Sequence, residues 1–181
     1  MMQRIKRIKR ELKYSGTMID MYTDTISVPN GNVVQWDFIK HPGAAAVVPI
    51  TDDGKIVMVR QYRNALDRET LEIPAGGLDS QEEPTIDAAA RELEEETGYI
   101  SHNLELLITV ATTVAFCNEK IDIYVARKLI QSKQNLDEDE YVEVEEYSVD
   151  ELADMIYAGK INDSKTIAAI MAYKNKFVNI K

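Results

Sequence analysis

One stretch of the sequence decides the fold. Residues 77–98 read GLDSQEEPTIDAAARELEEETG, and their pattern predicts a helix over Thr85–Thr97 that ends at the following glycine. At about 100° per residue, the carboxylates Glu92, Glu95 and Glu96 share one face of this helix, and small apolar residues share a roughly opposite face. We therefore expect the apolar face to pack on a core and the carboxylates to face away from it.

The residues alone leave two interpretations of this carboxylate cluster. It could be a solvated acidic surface, on which Arg91 partly offsets the repulsion between like charges three and four positions apart. It could instead bind a hard divalent cation, because Mg²⁺ takes oxygen ligands from one or two carboxylates and keeps positions free for water and substrate phosphates. A bound cation would also allow an acidic chain to bind an anion.

The spacing of this stretch resembles the signature of the Nudix hydrolases, Gly-x5-Glu-x7-Arg-Glu-aliphatic-x-Glu-Glu-x-Gly-aliphatic. The matching positions are Gly77, Glu83, Arg91, Glu92, Leu93, Glu95, Glu96 and Gly98. Tyr99 stands where the signature has its last aliphatic residue. The spacing fits from Gly77, because counting from Gly76 and Glu82 leaves the run before the arginine one residue too long.

The resemblance implies a fold and a chemistry. Nudix enzymes cleave a pyrophosphate bond in a nucleoside diphosphate linked to another moiety, and they fold as an α/β/α sandwich around a mixed sheet. The cofactor implied is Mg²⁺, with Mn²⁺ as the alternative, held by Glu92, Glu96 and the backbone carbonyl of Ala75. Glu95 would be a further ligand or the proton acceptor, and Arg91 would orient the carboxylates.

Matches outside the signature resemble the ADP-ribose pyrophosphatase branch of this family. They are Gln61-Tyr62-Arg63, Glu72-Ile73-Pro74-Ala75-Gly76, Asp163-Ser164-Lys165-Thr166 and an Asn30-Gly31 hairpin followed by Trp36. The resemblance implies that Trp36 stacks the adenine, and that Asp37, Arg63 and Gly77 also bind substrate. On the residues alone, Trp36 could equally pack in a strand, Arg63 could be a surface arginine and Asp163 a helix N-cap.

One loop departs from the branch. The branch usually carries Ser-Pro-Gly before Phe-x-x-Glu, whereas residues 113–119 read TVAFCNE. Glu119 is retained, and the resemblance assigns it as the base or a further metal ligand on a mobile loop; the alternative positions for the base are Glu95 and the acidic run 137–140. Because Val114 is β-branched and poorly suited to the φ > 0 geometry that glycine allows, a substrate other than ADP-ribose stays open.

The remaining pattern predicts an α+β fold with strands, one helix, more strands and two closing helices. Turns at Pro29–Asn32 and Asp52–Gly54 predict two successive hairpins. Residues 1–40 are expected to form an arm and hairpin for dimerisation and substrate contact, ahead of a Nudix domain at 41–181. The first 13 residues carry six basic side chains and apolar residues at helical spacing, which predicts a terminal helix or arm.

The composition excludes several classes of protein. The chain has 181 residues, a formal net charge of −10 and one cysteine, Cys117. An acidic chain repels nucleic-acid phosphates, one cysteine permits neither an intrachain disulfide nor a CxxC zinc site, and the apolar run 44–50 is too short to span a bilayer. With no signal segment expected, we predict a cytoplasmic protein that binds neither nucleic acid nor a membrane. The extra hairpin and basic arm ahead of the core, together with the resemblance, predict a homodimer.

These observations lead to one expected function and two alternatives. The expected function is a metal-dependent pyrophosphatase that hydrolyses ADP-ribose to AMP and ribose 5-phosphate, or a related nucleoside diphosphate sugar. The first alternative keeps the chemistry but takes another X-linked nucleoside diphosphate, such as a dinucleotide. The second is a sensor that binds ADP-ribose without cleaving it, and the intact Arg91-Glu92 and Glu95-Glu96 pairs argue against it.

Overall fold

The chain divides into two compact units. The first consists of residues 1–43 and 111–120, and the second consists of residues 44–110 and 121–181. Among the described residues, no helix is both long and apolar enough to cross a membrane. The computed structural model describes residues 4–80, 82–136 and 140–178.

Within those residues the chain forms twelve β-strands, three α-helices and one π-helical turn. The first strands are β1 (Lys6–Ser15), β2 (Asp20–Ser27) and β3 (Val33–Lys40). They are followed by β4 (Ala44–Pro49), β5 (Ile56–Arg63), β6 (Arg68–Glu72), β7 (Ala75–Gly77), β8 (Tyr99–Ile100), β9 (Asn103–Ala111), β10 (Lys120–Arg127), β11 (Ile130–Gln131) and β12 (Val142–Tyr147). The helices are α1 (Thr85–Thr97), α2 (Val149–Tyr157) and α3 (Ser164–Tyr173), which continues into the π-helical turn Lys174–Val178.

The central sheet of the second unit is mixed, with the strand order β7-β4-β10-β9. Strand β4 runs parallel to β10 and antiparallel to β7. Every residue of β4 is buried. Its continuous apolar sequence, AAAVVP, is typical of a strand that is covered on both faces.

Alternate side chains of this sheet enter two separate cores. The core on the side of α2 and α3 includes Ala46, Val48, Ile123, Leu152 and Ile170. The core on the side of α1 includes Ala45, Val47, Ala89, Leu93 and Tyr124. Helices therefore cover both faces of a mixed sheet, and the predicted α+β sandwich is confirmed.

The second predicted hairpin is wrong, although its turn exists. Gly54 adopts φ 82° and its N–H donates to the Thr51 carbonyl over 3.0 Å. Strands β4 and β5 nevertheless belong to different sheets and share one isolated bridge, between Ile50 and Ile56. β5 pairs with β6 and β12 instead. The long-range pairing of β4 with β10 buries both of its faces, which a two-stranded hairpin could not do.

The first unit contains an antiparallel sheet in the order β1-β2-β3. The turn predicted at Pro29–Asn32 joins β2 to β3, and Gly31 within it adopts φ 88°. A glycine suits this position because other residues rarely adopt positive φ. Residues 111–120 join the same unit through backbone bonds to the end of β3, where the Ile39 N–H donates to the Phe116 carbonyl over 2.7 Å.

The terminal helix expected from the first 13 residues is wrong, because this segment forms β1. Its pairing register with β2 shifts between Arg7 and Lys9 and again between Leu12 and Tyr14. Each bulge adds a residue and breaks the two-residue alternation of a strand. The apolar residues therefore recur at helical intervals although the segment is extended. An ion pair also holds β1 against β2, since the guanidinium of Arg10 donates two 2.6 Å hydrogen bonds to the carboxylate of Asp24.

Candidate functional site

Helix α1 carries the predicted carboxylates and occupies the predicted residues. It follows Pro84, and Gly98 ends it in the left-handed region at φ 70°. The Gly98 N–H donates to the Glu94 carbonyl over 2.8 Å, which satisfies one of the free carbonyls at the end of the helix. The local sequence thus fixes both ends of the element that presents the site.

Two of the three carboxylates are buried. Glu92 is 9% exposed and Glu96 is 4% exposed, whereas Ile86, which the pattern assigned to the apolar face, is 42% exposed. The expectation that the carboxylates face away from the core is therefore wrong for this pair. Glu92 and Glu96 lie one helical turn apart and face the backbone of the segment Ala75–Gly77. The face of the helix that packs against this segment is therefore the one that carries the two carboxylates.

The carboxylate of Glu96 is buried and accepts two hydrogen bonds. Its Oε2 accepts the Ala75 N–H over 2.9 Å, and its Oε1 accepts a hydrogen bond from Nε2 of Gln61 over 3.3 Å. Burial raises the pKa of Glu96 to about 8, although the bond from Ala75 opposes the shift and the charge of Glu92 adds to it. A carboxylate that resists ionisation in this way is stabilised by a nearby cation.

Arg91 ties the carboxylates to the segment before the helix. Its Nη1 donates to Glu92 over 2.7 Å and to Glu95 over 3.0 Å, and its Nη2 donates to the Gly77 carbonyl over 3.1 Å. Burial raises the pKa of Glu92, while the charge of Arg91 opposes that rise. The guanidinium therefore orients two carboxylates and fixes the loop at the same time.

The glycines before the helix have different surroundings. A β-carbon on Gly76 would overlap the carboxyl group of Glu92, whereas nothing lies within 4 Å of where the β-carbon of Gly77 would be. The signature glutamate, Glu83, contacts the signature arginine, since its Oε1 lies 3.5 Å from Nε of Arg91. Its Oε2 accepts a 2.6 Å hydrogen bond from the Asp79 N–H. Gly77 and Glu83 therefore stand where the spacing of the signature requires them.

The donor set fits a divalent metal ion of the magnesium type. Within residues 4–80, 82–136 and 140–178, no group of three or more carboxylate, histidine or cysteine side chains is arranged to hold an ion. Glu92 and Glu96 nevertheless place two buried carboxylates side by side, and burial raises the pKa of both. Mg²⁺ is commonly bound by one or two carboxylates together with water and substrate phosphates, so this pair suffices as the protein's share of the site.

Arg63 is a half-buried residue that pairs with Glu72, rather than a free surface arginine. Its Nε and Nη2 donate to Glu72 over 2.8 and 2.7 Å. Glu72 also accepts hydrogen bonds from Lys165 and, over 2.6 Å, from Thr70. Burial alone would raise the pKa of Glu72, but the bonds from Arg63 and the charge of Lys165 outweigh it and lower the pKa to about 2. Two of the three guanidinium nitrogens of Arg63 are thereby committed to one carboxylate.

Trp36 and Asp37 lie on β3 of the first unit. Trp36 is 48% exposed, and both residues line a cavity of about 630 Å³. The cavity is otherwise lined by Met21, Gln35, Ile39, Ala115 and Phe116. An exposed indole at an apolar cavity is a suitable surface for stacking a flat ring.

Glu119 also belongs to the first unit, where the Thr112 side chain holds it by a hydrogen bond. Thr112 donates its hydroxyl to Oε2 over 2.6 Å, and Nδ1 of His41 lies 3.5 Å from Oε1. The loop that carries Glu119 is itself fixed, because the Asn118 side chain bonds both the N–H and the carbonyl of His41. His41 is distant from this loop in the sequence, so no local pattern predicts its contacts with Asn118.

One carboxylate near the site received too little weight in the sequence analysis. Glu140 raises the pKa of both Glu92 and Glu96 through its negative charge. It is the last residue of the acidic run 137–140, in which residues 137–139 lie outside the described part of the chain. The run looks like a polar loop by composition, so the electrostatic effect of Glu140 on α1 is visible only in three dimensions.

Comparisons with known proteins agree with this geometry. The model of the NUDIX domain family matches residues 40–170. The chain is 41% identical to "ADP-ribose pyrophosphatase" of Bacillus subtilis (strain 168), an alignment that covers 91% of this chain and 90% of the relative. It is 45% identical to "Methanol dehydrogenase activator" of Bacillus methanolicus, again over 91% and 90%.

A solved structure supports the fold. "Crystal structure of ADP compounds hydrolase" superimposes with a TM-score of 0.85 and covers 97% of this chain and 95% of the other. The two sequences are 20% identical, so this likeness concerns the fold alone.

Proposed function

The chain belongs to the Nudix family and is a hydrolase, and from this premise we propose that it cleaves ADP-ribose to AMP and ribose 5-phosphate with Mg²⁺ as cofactor. The observation that carries the proposal is the buried pair Glu92 and Glu96, oriented by Arg91 on the signature helix. The 41% identity with an ADP-ribose pyrophosphatase over nine-tenths of both chains supports the choice of substrate.

The residues of the second unit have different roles in binding the cation. Glu92, Glu96 and the carbonyl of Ala75 would hold the cation, which supplies charge neutralisation at the diphosphate and makes water more acidic. Arg91 keeps Glu92 and Glu95 in position through 2.7 and 3.0 Å hydrogen bonds. Because phosphoryl chemistry depends mainly on positioning and on charge stabilisation, a fixed carboxylate pair is the essential contribution of the protein.

The reaction also needs a group that accepts a proton. Water attacks one phosphorus, the bridging P–O bond breaks, and one proton of the water passes to a carboxylate. We propose Glu119 for this role, with Glu95 and Glu140 as the alternatives. The hydrogen bond from Thr112 would keep the Glu119 carboxylate in one orientation.

Trp36, Asp37, Arg63 and Gly77 are the proposed substrate-binding residues. Stacking of the adenine on Trp36 would contribute roughly 1–3 kcal/mol. Arg63 would contact a phosphate or the terminal ribose with the guanidinium nitrogen that does not bond Glu72. Gly77 is open at its α-carbon, since no atom lies within 4 Å of the β-carbon position, which leaves room for the ligand.

We further propose that the protein is a cytoplasmic homodimer that uses residues 1–40 as its interface. The first unit exposes large apolar side chains, which in soluble proteins mark interaction surfaces. They include Ile5, Ile8, Leu12, Tyr14 and Met18. Light scattering at micromolar concentration should give twice the 20.5 kDa of one chain, and a mass of one chain would contradict the dimer.

A second candidate function keeps the chemistry and changes the substrate to a dinucleotide or another X-linked nucleoside diphosphate. One observation favours it. Val114 stands in a loop where the branch usually has a Pro-Gly turn.

A substrate panel distinguishes the two candidates. The full chain is incubated with ADP-ribose, NAD⁺, diadenosine diphosphate or a UDP-sugar, each with Mg²⁺ and again with EDTA, and the products are separated by ion-exchange chromatography. We expect AMP and ribose 5-phosphate from ADP-ribose at the highest kcat/KM, and no reaction with EDTA. Preferential cleavage of NAD⁺ or diadenosine diphosphate would support the second candidate, and metal-independent cleavage would contradict the proposed chemistry.

A further inference from the structure

We propose that the Thr166 hydroxyl, oriented by Asp163, is a positioning group for the metal-binding segment Ile73–Ala75. This inference rests on the proposed function, since it concerns how the second unit places Ala75 and Glu96. Thr166 is fully buried at the start of α3, and none of the roles proposed above uses it.

The Thr166 hydroxyl makes two directional hydrogen bonds. It donates to Oδ2 of Asp163 over 2.6 Å and accepts the N–H of Ile73 over 3.0 Å. Asp163 Oδ2 also accepts the Thr166 N–H over 3.0 Å and a hydrogen bond from Lys165 over 3.0 Å. Because the aspartate is acceptor-only when ionised, it directs the hydroxyl proton toward itself and leaves an oxygen lone pair for Ile73.

The segment that receives this bond connects β6 to β7 and has few other backbone anchors. Pro74 has no N–H to donate. Its carbonyl accepts the N–H of Val47 over 2.9 Å, and the next residue, Ala75, donates its N–H to Glu96 over 2.9 Å. Three consecutive residues are thus fixed by three different elements, namely α3 through Thr166, β4 and α1.

A second bridge from α3 fixes the residue before this segment. Lys165 contacts the buried carboxylate of Glu72, which also binds Arg63 through two hydrogen bonds. The start of α3 therefore holds Glu72 and Ile73 by independent contacts of neighbouring side chains. Their common effect is to set where the chain enters Pro74 and hence where Ala75 meets Glu96.

Metal affinity should be sensitive to this arrangement. Mg²⁺ demands near-ideal octahedral geometry, and groups that orient metal ligands typically contribute 10–100-fold to affinity or activity. Removing the hydroxyl leaves the Ile73 N–H without its acceptor, so the segment is free to shift against Glu96. The fold can persist, because the two apolar cores do not depend on this bond.

The test compares Thr166→Val, which keeps the shape, with Thr166→Ser, which keeps the hydroxyl. Thr51→Val is the matched control, because its hydroxyl bonds Asp53 and Lys55 in a surface turn. The dissociation constant for Mn²⁺ alone is measured on the full chain by electron paramagnetic resonance, together with Tm without metal and kcat and KM for ADP-ribose with Mg²⁺.

We expect Thr166→Val to weaken Mn²⁺ binding and to lower kcat by about tenfold or more, with KM changed less than about threefold. Thr166→Ser should restore both values, and Thr51→Val should lower Tm without changing Mn²⁺ affinity. A lower Tm with unchanged Mn²⁺ affinity in Thr166→Val would overturn the proposal. Thr166 would then contribute to the stability of the fold alone.

Two further outcomes are distinguishable from these. If the wild-type chain binds no Mn²⁺ and cleaves no nucleoside diphosphate, the proposed function fails, and the positioning role fails with it. If Thr166→Val does not fold, Asp163→Ala is measured in the same way, because it leaves the hydroxyl but removes the acceptor that orients it. Unchanged Mn²⁺ affinity in that variant would overturn the positioning role.

Discussion

The carboxyl group of Glu92 occupies the space that a β-carbon at position 76 would need. A side chain on Gly76 would overlap Oε1 and Cδ of Glu92, so glycine is required here for close approach and not for an unusual φ. The Glu92 carboxylate cannot easily move away, because it is buried and Arg91 donates a 2.7 Å hydrogen bond to the same Oε1. The segment before the signature helix and the first proposed metal ligand therefore constrain each other.

Gly76→Ala should accordingly displace the Glu92 carboxylate. We expect Mn²⁺ affinity to fall by about tenfold or more and kcat to fall with it, while circular dichroism retains the folded spectrum. Gly77→Ala is the matched control for metal affinity, since nothing lies within 4 Å of its β-carbon position. Equal Mn²⁺ affinity in the two variants would contradict this account of Gly76.

Glu96→Gln should separate stability from activity. The amide keeps the size but removes a charged oxygen ligand, so kcat should fall by about 100-fold or more at saturating Mg²⁺. The metal-free variant should melt at or above the wild-type Tm, because it no longer buries an ionisable carboxylate without a cation. Activity within about threefold of wild type would exclude Glu96 as a ligand.

The buried ion network should define the acid limit of the fold. Interactions with Arg63 and Lys165 lower the pKa of Glu72 to about 2. A carboxylate with a lowered pKa stabilises the fold above its unfolded value of about 4.3, and this contribution, on the order of 3 kcal/mol, is lost as the pH falls toward 2. Urea unfolding of wild type and Glu72→Gln should therefore differ most at pH 7 and converge below pH 3. A difference independent of pH would contradict the assignment.

Kinetics should identify the proton acceptor. If Glu119 acts only in the transition state, Glu119→Gln lowers kcat and leaves KM nearly unchanged. Glu140→Gln is measured beside it, because Glu140 acts electrostatically on Glu92 and Glu96. A loss of kcat confined to Glu140→Gln would move the base to that residue, and a tenfold rise in KM with intact kcat would make Glu119 a binding residue.

Local sequence predicts single elements well in this chain. The bounds of α1 agree with the pattern to the residue, because helix ends and the alternation of faces are encoded within a few positions. The signature also identifies the helix proposed to bind the metal, since its spacing specifies eight residue types at once. The ends of this helix are set by neighbours in the sequence.

Pairing and burial of charge are where sequence reasoning fails. β5 pairs with β12 rather than with β4, and β1 is extended although its apolar residues recur like those of a helix. Glu92 and Glu96 are buried because the backbone at Gly76 is bare, and Arg63 is committed to Glu72. Each of these facts depends on residues distant in the sequence, which a pattern along one segment does not register.

The first unit has a practical consequence for protein engineering. It consists of two pieces of chain, residues 1–43 and residues 111–120. Backbone hydrogen bonds between Ile39 and the second piece join them. Removing residues 1–43 would therefore leave residues 111–120 without the strands that they pair with. A chimera that takes its leading segment from a relative must import both pieces, because neither encodes a self-sufficient module.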